Sequence, residues 1–273
     1  MRRHTAQDGS KSSHSKNIKA EIEYRKRLSQ QHLGIQHWFD DHKNSLDEVF
    51  PSWIEPQIRW FDDLFPRLKE GRQIDRFLEV GAEKGHIGIH LRNRYGIKGV
   101  CTDLSVDTFH MATPIVQERM GVREMPPLAS ADVHALPFRD DSFDLVFCFS
   151  SLHHFHSPHD ALGEIKRVLR GEGIFFCSWE PMSPLFGQKE AYGSEVDSGV
   201  FENNYTYFEY RRLLGEHFGS VKTVFRKAPP PASPRHRNGI KTLIRRFVPP
   251  WIIWAQQVVL RGSGNYTAIC RVD

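Results

Sequence analysis

Cysteine is scarce in this sequence and nothing arranges it into a framework. The four cysteines among 273 residues, Cys101, Cys148, Cys177 and Cys270, lie far apart and form no CxxC pair. That excludes a disulfide-stapled scaffold and a cysteine-based zinc site. Three of the four stand in apolar runs, so they are expected as small core residues of a reducing compartment. There is also no run of roughly 18 apolar residues, the length a membrane-spanning helix needs. The longest candidate, WIIWAQQVVL from Trp251, is short and carries two glutamines. The opening stretch MRRHTAQDGSKSSHSKN is basic, but no apolar segment follows it. No signal peptide is read there, and a cytoplasmic protein is expected. Charge is nearly balanced, 37 Lys and Arg against 33 Asp and Glu, which is too mild an excess to mark nucleic acid as a partner. No internal repeat is visible.

What is present is enough apolar material, 39% of the chain, to bury one sizeable core. Residues 1–17 read as a disordered basic tail. Residues 18–75 carry apolar and aromatic side chains at helical spacing, with Pro51, Pro56 and Pro66 as breakers and Gly71 as a stop, which predicts two or three N-terminal helices. Their aromatics, Trp38, Phe39, Trp53, Trp60 and Phe61, read as core, or as a cap that closes a pocket. From residue 76 onward short apolar strands alternate with helices of ten to fifteen residues, the pattern of a parallel sheet covered on both faces. A long insert at 229–263 opens with PPPASP and interrupts the last two strands.

Chemistry concentrates in EVGAEKGHIG. A strand ends near an acid, Glu79, and Gly81 and Gly85 stand at the mouth of a helix. Glycines there let the backbone approach a ligand and aim helix N-terminal amides at it, although they also occur as plain turn residues. Asp103 ends the next strand, where an acid can accept hydrogen bonds from ribose hydroxyls. Asp132 ends a third strand and Asp144 opens a fourth.

The ordered series LEVGAEKG, DLS, DVHALPFRDDSFD, LHH and EIKRVLRGEG resembles the class I S-adenosylmethionine-dependent methyltransferases, in particular their large small-molecule group. The resemblance covers residues 76–180 well and the remainder more loosely. It implies an α/β fold: a Rossmann-like seven-stranded, mostly parallel sheet with an antiparallel last strand, plus N-terminal cap helices. It implies S-adenosylmethionine as cofactor, with Glu79, Gly81 and Gly85 around its methionine part, Asp103 on the ribose, and Leu104 against the adenine. Asp132 and Val133 would meet the adenine edge, and Ser150 would face the cofactor. The departure is Glu83, which stands where the family has a glycine. It is expected to crowd or repel the cofactor carboxylate, to point to solvent, or to pair with the methionyl ammonium.

An oxygen acceptor benefits from a general base. His153 and His154 are the candidates, with a packed or capping role as the plainer alternative. His156, Glu180, Tyr205 and Tyr207 are expected as substrate contacts. No metal is expected, because the LHH motif belongs to metal-free members of the family. The segment around Tyr205 is similar to a stretch of methyltransferases acting on glycans and lipid-linked precursors, so the expected acceptor is a small molecule or a glycan- or lipid-linked one, methylated at oxygen. Residues 227–262 hold seven Lys and Arg and no acid, and Ile240, Leu243, Ile244 and Phe247 recur at helical spacing. Such a helix suits an anionic membrane face through 240–260, or it packs on the domain or on a second copy as a homodimer. A carbon-methylating enzyme of quinone or lipid type and a non-catalytic interaction module on the same fold remain the alternatives.

Overall fold

The computed structural model describes residues 54–105, 116–185, 201–203, 205–224 and 265–272, together with 16, 18–24, 50, 252 and 255. The basic tail apart from Lys16, together with Trp38, Phe39, Trp53 and the amphipathic pattern of the insert, therefore lies outside the described residues. The elements run α1 Glu55–Lys69, β1 Arg76–Val80, α2 His86–Tyr95, β2 Lys98–Asp103, β3 Leu128–Ser130 and β4 Phe143–Phe149. They continue with a 3-10 turn η1 Leu152–His154, α3 Pro158–Val168, β5 Leu169–Pro181, α4 Tyr207–Gly215, β6 Ser220–Thr223 and β7 Asn265–Arg271.

The strands form a seven-stranded sheet in the order β3-β2-β1-β4-β5-β7-β6. β7 runs antiparallel to both its neighbours, while the other pairings are parallel. The expected Rossmann-like sheet is the one observed. β4, FDLVFCF, is buried along nearly its whole length, as a central parallel strand covered on both faces must be. All four cysteines are free and buried.

Two apolar layers cover the sheet. On one face α3 and α4 lay Leu162, Ile165, Val168, Tyr210 and Leu214 against Leu78, Val146 and Phe175. On the other, α1 and α2 bring Trp60, Phe61, Leu64, Leu68, Ile87 and Leu91 against Phe77, Leu145, Phe147 and Phe176. The Trp60 indole N–H also donates to the Ser178 hydroxyl on β5 at 3.0 Å. α1 is thus a layer of the sheet's own core. Its apolar positions recur along one stripe and find the sheet as their partner.

Order reverses between β1 and β4, since the chain leaves β1 toward β2 and β3 and leaves β4 toward β5. In open α/β sheets the crevice beyond the carboxyl ends of such strands is where ligands bind. Two arginines, Arg170 and Arg167, stiffen the sheet that carries it through three ion pairs. Asp144 accepts from the backbone N–H groups of Asp75 and Arg76 at 2.9 and 2.8 Å and pairs with Arg170 at 2.7 Å, which ties the foot of β4 to that of β1. Arg167 on α3 donates to the carbonyls of Phe138 and Leu136 and to Asp140 and Glu164. This clamps the loop that follows Asp132.

Candidate active site

β1 delivers the chain into a loop of unusual backbone. Gly81 and Gly85 lie at φ of 63° and 66°, and Glu83 lies at 45°. A glutamate at that left-handed position is strained, by about 1–2 kcal/mol, whereas glycine occupies it without cost. The turn is held by Asp103, at the end of β2, which accepts the Glu83 N–H at 2.9 Å. The Glu83 carboxylate, half exposed, pairs with the neighbouring Lys84 ammonium at 2.5 Å. Its charge is met within the loop, so the expected repulsion of an anionic ligand group is offset.

α2 starts at Gly85 with no side-chain N-cap, and of its first-turn N–H groups that of Gly88 is taken by the Glu79 carboxyl, which leaves His86 and Ile87 to present theirs toward the loop. His86, the first helical residue, is buried and bonds through Nε2 to the Gln57 side chain at 2.7 Å. Burial pushes its pKa down to about 3, leaving the ring neutral. A loop with two left-handed glycines, an uncapped ten-residue helix, and an acid at the tip of β2 fits a ligand carrying a carboxylate at one end and vicinal hydroxyls at the other.

Glu79 does not line this loop. Only 2% of it is exposed, and its carboxyl accepts from the Gly88 N–H at 3.0 Å and the Cys101 thiol at 3.2 Å. Strand alternation turns it to the same face as Phe77. It therefore fastens α2 to the sheet from behind the loop, and burial raises its pKa to about 8. Gly88 is the residue that permits this, because a Cβ there would stand 2.7 Å from the Glu79 carboxyl and 2.3 Å from the Cys101 sulfur.

Beyond β2 and β3, Leu104 is half buried and its carbonyl accepts from the Ser130 hydroxyl at 2.9 Å. Val133 packs on the edge of the core. Asp132 accepts from the N–H and from Nδ1 of His134, at 2.9 and 2.6 Å. At the end of β4, Ser150 takes a φ of 51° and donates its N–H to the Ser178 carbonyl. Its neighbour Ser151 makes the cross-link: its hydroxyl bonds to the Gly81 carbonyl at 2.9 Å, joining the β1 and β4 loops at the switch point. The doubled serine gave no means of telling which of the two does so.

The histidines follow at once. Glu180, fully buried at the end of β5, accepts from the backbone N–H groups of Ser151, Leu152 and His153 at 3.0, 3.1 and 3.2 Å. It also accepts from His153 Nδ1 at 2.7 Å. It is sealed behind η1 and acts through His153, in contrast to the substrate contact expected of it. His154 donates Nδ1–H to the Phe201 carbonyl at 3.1 Å, and the two imidazoles lie 4.0 Å apart between ring centroids. With Nδ1 of each ring a donor, Nε2 of each neutral ring carries the lone pair. His156 rests against His134, with ring centroids 4.0 Å apart, and near Phe201.

Segment 201–203 is pinned over this wall. The Asn203 N–H donates to the His153 carbonyl at 2.7 Å and its side chain to the Phe155 carbonyl at 3.1 Å. Glu202 is carried into place between them, with no motif to announce it in the sequence. His153, His154 and Glu202 each present a potential ligand atom within 4.8 Å of the other two. The tyrosines differ from expectation. Tyr207 is buried with Tyr266 and Tyr210, because it falls on the inward face of α4. Tyr205 is half buried against the Tyr210 ring and burial raises its hydroxyl pKa to about 12.

The fold and this crevice define a class I S-adenosylmethionine-dependent methyltransferase domain. Residues 78–177 match the family described as methyltransferase domain. It is 31% identical over 127 residues to an uncharacterized methyltransferase of Bacillus subtilis, YcgJ, covering 46% of this chain and 49% of that one. It is 33% identical over 136 residues to a malonyl-(acyl-carrier protein) O-methyltransferase of Geobacter sulfurreducens, covering 49% of each. The chain thus spans about half the length of these curated relatives. Among solved structures it resembles a Haemonchus contortus phosphoethanolamine N-methyltransferase in complex with S-adenosylhomocysteine, with a TM-score of 0.55 at 14% identity over 79% of this chain and 52% of that one. At that identity the likeness is one of fold. Among the described residues no helix is long and apolar enough to cross a membrane.

Proposed function

We propose that the protein transfers a methyl group from S-adenosylmethionine to a hydroxyl or carboxyl oxygen of a small-molecule or glycan- or lipid-linked acceptor. The observation that carries the reading is the Glu180–His153 pair. A buried carboxylate holds Nδ1–H and leaves Nε2 as the acceptor of a proton, directly after the Ser151–Gly81 link to the cofactor loop. S-adenosylmethionine, when bound, supplies an electrophilic methyl group on a sulfonium, so the protein's task is chiefly to position the acceptor in line with it. Asp103, the Gly81–Gly85 loop and the first turn of α2 would hold the cofactor; Asp132, Val133 and Leu104 would flank its base, and Ser150 would face it. At a hydroxyl acceptor, His153 Nε2 would take the proton as the oxygen receives the methyl group; a carboxylate acceptor would need only to be positioned. Glu180 steadies the imidazolium that forms. His154 and His156 extend the acceptor wall. The Geobacter relative is an O-methyltransferase, which supports oxygen as the acceptor atom.

Calorimetry with S-adenosylmethionine on the intact protein and on Asp103→Ala tests the cofactor half. Micromolar binding that the variant weakens at least tenfold is expected; no binding by the intact chain would instead favour an interaction module on a methyltransferase fold. The basic insert supports a further expectation of contact with anionic lipid surfaces. Co-sedimentation with neutral and anionic vesicles decides it, and equal recovery with both would remove it.

A further inference from the structure

Seen as a coordination set, His153, His154 and Glu202 have the features of a metal site rather than of three neighbouring polar groups. Two imidazoles and one carboxylate present ligand atoms within 4.8 Å of one another, and a modest inward shift of side chains would bring them to a common centre. The outer contacts are those that metal-bound histidines use: the second ring nitrogen donates to a carboxylate or to a backbone carbonyl, which fixes the tautomer and aims the other nitrogen at the ion. Here His153 Nδ1 is held by the Glu180 carboxylate at 2.7 Å and His154 Nδ1 by the Phe201 carbonyl at 3.1 Å. Glu202 comes from a separate segment of chain, and the Asn203 bonds to the His153 and Phe155 carbonyls fix that segment on η1.

We infer that His153, His154 and Glu202 bind one first-row divalent cation, through Nε2 of each histidine and a carboxylate oxygen. Two imidazoles and a carboxylate suit zinc, cobalt, manganese or ferrous iron better than calcium or magnesium, which prefer all-oxygen shells. Three protein ligands leave coordination positions open to an acceptor with adjacent oxygens, such as a hydroxy acid or a diol. This second part rests on the methyltransferase reading. With the ion in place, His153 would serve as its ligand instead of as the base, and the ion would lower the pKa of a bound acceptor hydroxyl so that its proton is released to solvent.

The test is titration of tag-free, chelator-treated protein with zinc by calorimetry and with cobalt by visible absorption, on the intact chain, His154→Ala and Glu202→Gln. S-adenosylmethionine binding is measured on the same samples. One ion per chain, with zinc affinity lowered about 10–100-fold in both variants and cofactor binding unchanged, is the expected result. Glu202→Gln keeps size and shape, so its loss of affinity cannot be laid to misfolding. Zinc binding that neither variant weakens would place the ion elsewhere and overturn the site. No zinc binding by a chain that still binds S-adenosylmethionine would also overturn it and leave His153 as the base. Metal binding without cofactor binding would keep the site and remove the methyltransferase reading.

Discussion

Glu180 and His153, 27 residues apart, meet at 2.7 Å between a carboxylate oxygen and Nδ1, and the same carboxylate receives three backbone N–H groups at the start of η1. One buried acid thus sets the path of the chain after β4 and the tautomer of the histidine that path presents. Without it, three donors at the head of η1 and one on the ring would be left buried.

Glu180→Gln keeps the volume but replaces one acceptor oxygen with a donor facing donors. A loss of about 2–4 kcal/mol in urea unfolding is expected, the cost of unsatisfied buried groups. A loss below about 0.5 kcal/mol would show that η1 holds its shape without the acid.

Glu83→Gly relieves a left-handed glutamate and removes only a partly exposed ion pair with Lys84, which is worth little. Thermal unfolding should show stability unchanged or raised by about 1 kcal/mol. S-adenosylmethionine affinity should stay within about threefold, since the pair is weak. A tenfold drop would mean that the Glu83 carboxylate touches the cofactor.

Arg167→Ala frees the loop after Asp132 from α3. Burial is partial, so the cost of its several charged hydrogen bonds is discounted to roughly 2 kcal/mol. Cofactor binding should weaken as well, because the loop that carries Asp132 and Val133 loses its clamp. Full affinity with lowered stability would confine Arg167 to the frame.

Glu79 gives a pH dependence. Burial raises its pKa from 4.5 to about 8, so the folded protein holds a proton there that the unfolded chain gives up above pH 4.5. The contribution is fully present below pH 4.5 and is lost as pH rises toward 8. Urea midpoints should fall between pH 5.5 and 8.5 in the intact protein and fall less in Glu79→Gln, which imitates the protonated acid. Parallel slopes in the two would refute the assignment.

Much of the crevice was legible in the chain because its parts are local. Gly81 and Gly85 serve a turn within a few residues, Asp103 terminates a strand, and the alternation of strand and helix recurs at short range. What failed to show was the direction of individual side chains. Glu79 reads as a cofactor acid, yet strand alternation sends it inward to Gly88 and Cys101. Tyr207 reads as a substrate contact, yet the turn of α4 sends it into the core.

By itself the sequence determined that a parallel sheet forms, that a glycine turn opens into a helix at its first strand, and that acids stand at the tips of the strands beside it. Periodicity and turn chemistry act over a few residues, so a chain read in order contains them. Only the tertiary structure decided that Glu180 reaches back to His153, that Ser151 rather than Ser150 joins the β1 loop, and that Glu202 comes to lie beside two histidines some fifty residues earlier in the chain. Those contacts depend on which strands are neighbours and on which face each residue presents. A register shift of one residue would reverse every such face, and packing of the whole sheet is what fixes it.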